Sequence, residues 1–172
     1  MKTNMSDPVI RPATVADLPR LHPVIERAYR GEEARAGWTH EADLLDGQRT
    51  DMATLAAIFD DPATRLLIAL AGETPIGCVQ VSDHGGGTAY LGLLCIEPRL
   101  QAAGLGRRLI SAAEDAARTT FTAHRIEMTV IENRTELIAY YERRGYARTG
   151  ERRDFPIAAE PPLFMTVLAK PL

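Results

Sequence analysis

Three strand-sized apolar runs, residues 66–71, 76–82 and 89–96, follow one another with only short breaks, and a helical stretch comes directly after the third. The breaks have turn chemistry: Gly72-Glu73-Thr74-Pro75 in the first and Gly85-Gly86-Gly87 in the second. Short connections of this kind join antiparallel neighbours. The third run stops at Pro98, and residues 104–119 then place Leu105, Leu109, Ala112 and Ala116 on one helical face. A further strand at 125–131 follows that helix. Strand, helix and strand in this order imply one parallel crossover beside an antiparallel meander.

The flanks complete the pattern. Residues 9–11 read as a strand stopped by Pro12. Thr14 or Asp17 can cap a helix that carries Leu18, Leu21, Ile25 and Ala28 on one face. Pro19 falls in its tolerant first turn. Pro23 would cost about 3 kcal/mol inside a helix, so a kink or irregular start is expected there. Residues 51–59 form a second helix with Leu55, Ile58 and Phe59 inward. Residues 134–144 form the last helix, ended by Gly145. Strands at 146–153 and 163–169 follow, with Pro161-Pro162 marking the bend between them. The expected class is α/β: a mixed, mostly antiparallel central sheet of about seven strands with helices on both faces.

The 172 residues fit one domain over 9–172, after a flexible N-terminal tail at 1–8. A net charge of −3 argues against a protein devoted to gripping nucleic acid phosphates. No apolar run approaches the ~20 residues that span a bilayer. The polar N-terminus lacks a signal-peptide core, and two cysteines make no secreted framework. The cytoplasm is the expected location. The four histidines are scattered without ligand spacing, so no metal is expected.

The segment that carries chemistry runs from Ile96 to Leu109. A strand ends, a short loop turns, and a helix begins at Gly104-Leu105-Gly106. The first amides of a helix have no partner within it, and with the helix dipole they favour an anion. Glycine lets a phosphate approach the backbone without a Cβ in the way. A tight loop that needs glycine only for its turn is the competing reading. Two nucleotide readings fail on residues. A dinucleotide fingerprint needs glycine or alanine where Leu109 stands, and a Walker A loop needs Lys-Ser/Thr where Arg107-Arg108 stand.

Gln101-Ala102-Ala103-Gly104-Leu105-Gly106 resembles motif A of the GCN5-related N-acetyltransferases. Asn133 and Tyr140-Tyr141-Glu142-Arg143-Arg144-Gly145-Tyr146 look like motif B. Ile10-Arg11-Pro12-Ala13-Thr14 with Asp17-Leu18 is similar to the family's opening strand and helix. The resemblance runs from about residue 9 to residue 153. It implies acetyl-CoA as cosubstrate, with the pyrophosphate on the amides from Gln101 through Ala102, Ala103, Gly104, Leu105 and Gly106 to Arg107. The pantetheine arm would lie along Leu94, Cys95 and Ile96, where this strand splays from the next parallel one. Backbone N–H near Leu94 and Cys95 would meet the developing oxyanion.

The resemblance further implies Tyr141 as general acid towards the leaving thiolate. Tyr140, about 100° away on the helix, is the competing candidate and otherwise belongs to the cofactor side. Asn133 precedes Tyr141 by eight residues where the family has seven. Either Asn133 pairs in register with Tyr140, or Arg134 takes the asparagine-like position. Asn133 can also cap the helix. On the acceptor side stand Tyr29, Trp38 and Glu41, with Asp51 nearby. For the base, Glu97, Glu127, Glu41 and Asp83-His84 are candidates, and a relayed water or an already neutral amine serves equally. Cys78 and Cys95 lie inside apolar strands with no partner spaced to activate them, so direct transfer in a ternary complex is expected. The acceptor would be a primary amine of a small molecule or peptide, with a homodimer left open. A non-catalytic acyl-CoA sensor or a partner-binding module is the alternative.

Overall fold

The computed structural model describes residues 7–30, 50–101, 104–156 and 158–172. Residues 1–6 of the expected tail, together with Trp38, Glu41, Ala102 and Ala103, lie outside the described residues. In chain order the elements are β1 (Val9–Pro12), a 3-10 turn (Val15–Asp17), α1 (Leu18–Tyr29), α2 (Met52–Asp60), β2 (Thr64–Ala71), β3 (Thr74–Asp83) and β4 (Thr88–Ile96). A second 3-10 turn (Pro98–Leu100) leads to α3 (Leu105–Phe121), β5 (Arg125–Ile131), α4 (Thr135–Glu142), β6 (Ala147–Asp154) and β7 (Phe164–Pro171).

Local chemistry explains the helix starts. The Thr14 N–H donates to the Asp17 carboxylate at 2.7 Å, and Arg11 donates to the same carboxylate at 2.7 and 3.1 Å. This reciprocal cap ties β1 to the entry of α1. Asp51 caps α2 by accepting from the Thr54 N–H at 2.7 Å. A kink or irregular start is expected at Pro23; α1 begins at Leu18 and runs through Pro23, which is exposed, to Tyr29.

The sheet order is β1-β2-β3-β4-β5-β7-β6. Only β4 and β5 pair in parallel; every other neighbouring pair is antiparallel. Helices cover both faces. On one face α3 and α4 pack Leu109, Ile110, Ala113 and Ile138 against Val79, Val81, Leu91, Ile126 and Met128. On the other, α1 and α2 pack Leu21, Ile25 and Leu55 against Leu66, Ile68, Cys78, Leu93 and Cys95. A partly buried ion pair closes the α3 side: Lys170 on β7 donates to both Glu114 oxygens at 2.8 and 2.9 Å.

Two features of β4 position the site. The first is a bulge. Cys78 opposes Cys95 and Gln80 opposes Gly92, so β4 carries one more residue than β3 between these pairs. Leu93 takes up the extra length in the left-handed region at φ 48°. The bulge reverses the alternation along the strand. Ala89 and Leu91 face α3, whereas Leu93 and Cys95 face α1. The second is a short pairing. β4 meets β5 at three positions, Thr88 with Arg125, Ala89 with Ile126 and Tyr90 with Glu127. Beyond Tyr90 the two parallel strands part.

Candidate active site

Clefts of about 550 and 520 Å³ open on the two sides of this parting. The first runs from the N-terminus of α3 along the outer half of β4 to α4. It is lined by Leu94, Cys95, Ile96, Gln101, Gly104, Gly106, Arg107, Tyr140 and Tyr141, joined by Ala28, Tyr29, Arg134, Leu137, Arg143 and Arg144. The second lies towards α2 and β7, and includes Arg30, Asp51, Gln80, Tyr90, Met128, Thr129 and Phe155. Tyr29, Leu94, Arg134, Leu137 and Tyr141 line both. These shared residues stand where the sheet is split.

The N-terminus of α3 is open. Gly104 occupies the cap position with φ 87°, which glycine adopts without strain, and no side chain caps the helix. Gly106 is needed for space: a Cβ there would stand 2.7 Å from the Tyr140 hydroxyl and 3.1 Å from Ile96 Cδ1. The Leu105 side chain is buried in the core, so only its amide is offered to a ligand. Four arginines, Arg107, Arg134, Arg143 and Arg144, line this cleft, and no carboxylate does among the described residues. The Arg144 guanidinium lies 4.1 Å from the Tyr140 ring centroid, a stacked arrangement that holds both side chains. Uncapped amides, a glycine floor and arginines fit a polyanion.

The outer half of β4 presents backbone to the same cleft. The Glu97 N–H donates to the Ile76 carbonyl at 2.8 Å, which sets the phase of the ladder with β3. By strand alternation Cys95 then points its N–H at β3, while Leu94 and Ile96 point theirs to the parted side. The Leu94 carbonyl accepts from the Tyr29 hydroxyl. Of the two residues expected near the oxyanion, Leu94 and Cys95, Leu94 is the one whose N–H points to the parted side.

Tyr141 stands at the junction of the clefts. It is buried, with its ring set edge-on to Tyr140 at 5.5 Å and to Tyr146 at 6.1 Å. Its hydroxyl makes no hydrogen bond among the described residues. Burial raises the phenol pKa above its ordinary value, with the Arg134 charge working in the opposite direction. Tyr140 points elsewhere, with its hydroxyl against Gly106.

Other expected residues sit differently. Asn133 is exposed in the turn after β5, lines neither cleft, and does not cap α4. The cap position belongs to Arg134, which lines both clefts. One residue of register separates the two, and the turn 132–133 places Arg134 inward. Glu97 is held by Arg27 in a two-pronged ion pair at 2.8 and 3.1 Å. Glu127 pairs with Arg153 at 3.4 Å, and His84 stacks on Tyr90 at 4.9 Å. Glu97, Glu127 and His84 line neither cleft. Asp51 is the one carboxylate in the second cleft among the described residues, and the Thr54 amide lowers its pKa by stabilising the charged form. Gln80, Tyr90 and Thr129 were not foreseen. Tyr90 and Thr129 share a hydroxyl–hydroxyl hydrogen bond of 2.5 Å across the parting strands. Strand alternation could have put them on one face, but only knowledge of the split would have marked that face.

Among the described residues no three potential metal ligands converge, and no helix is long and apolar enough to cross a membrane.

The fold is a mixed seven-stranded sheet split at its parallel pair, with an uncapped, glycine-lined helix start at one end of the split. The model of the acetyltransferase (GNAT) family matches residues 25–146, and the chain belongs to that family. It is 31% identical over 101 residues to an IAA acetyltransferase of Azospirillum brasilense, covering 58% of this chain and 63% of that protein's length. Among solved structures it is similar to the ribosomal-protein-S18-alanine N-acetyltransferase of Escherichia coli, with a TM-score of 0.73, 16% identity and coverage of 95% and 93% of the two chains. It is equally similar to yncA of Salmonella typhimurium, solved with its cofactor acetyl-CoA, with a TM-score of 0.73, 18% identity and coverage of 97% and 95%. At these identities the structural likeness concerns the fold.

Proposed function

We propose that this chain transfers the acetyl group of acetyl-CoA to a primary amine of a small molecule or peptide, by direct attack in a ternary complex. The observation that carries the reading is the junction of two clefts at Leu94 and Tyr141. The cleft at α3 is the donor side. Its amides from Gly104 to Arg107 receive the pyrophosphate, and the parted edge of β4 runs beside the pantetheine arm as an added strand would. The second cleft is the acceptor side, with Tyr29 at its entrance to the split.

The chemistry follows from the placement. A neutral amine attacks the thioester carbonyl carbon, and the Leu94 N–H on the parted side stabilises the oxyanion. The carbon–sulfur bond then breaks, and the leaving thiolate takes the Tyr141 proton. Burial keeps the phenol protonated, so its proton is present at neutral pH when the carbon–sulfur bond breaks. Solvent returns a proton to the phenolate, and the amide product loses the amine proton to water.

A second reading has one observation in its favour. Asp51 is the one lining carboxylate among the described residues, and it is committed to capping α2. An acyl-CoA-binding module without turnover would need no base. Titration calorimetry with acetyl-CoA and CoA, followed by thiol release across an amine panel, separates the readings. Transfer requires binding together with thiol release that depends on the amine. Binding with no release across the panel favours the sensor, and absence of binding ends both.

A further inference from the structure

We propose that Cys78 and Cys95 form a dithiol site in the wall of the donor cleft. It reacts with low-molecular-weight disulfides and closes to an intramolecular disulfide that weakens ligand binding in that cleft. The effect on binding rests on the donor-cleft reading above; the dithiol itself does not. These are the only two cysteines in the chain, and both are thiols. They are direct cross-strand partners on β3 and β4, on the α1 face, with their sulfurs 3.3 Å apart. The hydrogen bond from Glu97 to Ile76 makes theirs a hydrogen-bonded pair, for which Cα atoms stand about 5.5 Å apart. That lies within the range a disulfide bridges, and the sulfurs need only rotate to their bonding distance of about 2.05 Å.

Position sets the order of events. Both cysteines are buried, but Cys95 borders the cleft and keeps 3% of its surface exposed, whereas Cys78 behind it has none. The Cys95 thiolate attacks one sulfur of the small disulfide, whose S–S bond breaks; the departing thiolate takes up the proton that Cys95 gave. The Cys78 thiolate then attacks the Cys95 sulfur, and the second small thiol leaves with the Cys78 proton. The protein loses two electrons and the small disulfide becomes two thiols.

The bulge couples this reaction to the cleft. The Cys78 thiol donates to the Leu93 carbonyl at 3.4 Å. Leu93 is the left-handed residue that turns β4 outward. A disulfide has no S–H, so oxidation removes this donor from a buried carbonyl at the point where the donor strand is shaped.

The full chain is incubated with oxidised glutathione, denatured in an alkylating reagent and weighed intact. The wild type is expected to lose the mass of two hydrogens and to take no alkyl group. Cys78→Ser, or Cys78→Ala should the first fold poorly, is expected to retain one glutathione on Cys95. CoA should bind the oxidised wild type about tenfold more weakly than the reduced protein. Two alkylated thiols after exposure of a protein folded by circular dichroism overturn the site. A folded Cys78 variant without adduct overturns the order of attack. Equal CoA affinity in both forms overturns the coupling. Failure of the reduced protein to bind CoA removes the coupling and the acetyl-CoA reading together, and the mass change still decides the dithiol.

Discussion

Replacing Gly104 by alanine tests whether the start of α3 is shaped for an anion. The glycine sits at φ 87° and ψ −3°, where an L-residue costs about 1–2 kcal/mol. An added Cβ meets no atom within 4 Å among the described residues, so no contact there adds to or offsets the backbone term. The stiffer unfolded chain of alanine returns less than this cost. For a chain of this size each kcal/mol moves the melting temperature by about 2–4 °C, which puts the loss at roughly 2–8 °C if the loop keeps its shape. If the loop instead relaxes to negative φ, stability returns, but the amides of Leu105, Gly106 and Arg107 swing off the cleft. CoA and inorganic pyrophosphate should then bind about tenfold more weakly or worse. One readout must move at the expense of the other. Scanning calorimetry and isothermal titration on the same preparation measure both. Gly104→Asn, which tolerates the left-handed region, should lose less stability than the alanine variant. An alanine variant with unchanged melting and unchanged CoA affinity would refute the reasoning.

Tyr141→Phe should lower kcat by about 10²–10⁴-fold with melting near wild type, because the hydroxyl removed has no partner among the described residues. Since burial raises this phenol above its ordinary pKa, the wild-type rate should show no fall from Tyr141 ionisation up to about pH 10; full activity of the variant would move the acid role to Tyr140 or water. Asp17→Ala, which opens the cap and frees Arg11, should cost about 1–2 kcal/mol near neutral pH. The folded Asp17 pKa lies well below the unfolded value of about 3.9, chiefly through the Arg11 hydrogen bond, so its stabilisation is complete above that value and fades as the pH falls further. Melting curves of wild type and Asp17→Ala should therefore converge in acid, and a constant gap down to strong acid would contradict the assignment. Lys170→Met strands Glu114, whose side chain is 7% exposed, and should cost about 3 kcal/mol by denaturant titration; adding Glu114→Leu should recover most of it.

The order of elements was legible because each is written in local terms. Strand-sized apolar runs, helical spacing, the cap at Thr14 and Asp17 and the turn glycines at 72, 85–87 and 145 act over a few residues, and the elements formed where those signals stand. The glycine-lined start of α3 was legible for the same reason: an open helix end and a missing Cβ are properties of a hexapeptide. Motif B was legible only to within a residue. The turn 132–133 decides that Arg134 rather than Asn133 faces the clefts, and no local rule counts that turn.

What tertiary structure alone decided is how distant pieces meet. The placement of β7 between β5 and β6 follows burial across the sheet: β7 buries Val167 and Leu168, whereas the polar β6 is exposed along nearly its whole length and takes the edge. The bulge at Leu93 leaves no compositional mark; it arises because β4 must pair with β3 on one side while leaving β5 on the other. From that divergence come the two clefts, the placing of Tyr141 between them, and the contact of Cys78 with Cys95. The sequence by itself determined the strands, helices, caps and the glycine turn that opens α3, because their free energies are local. The split that turns them into a site is a compromise between competing pairings, and only the whole sheet expresses it.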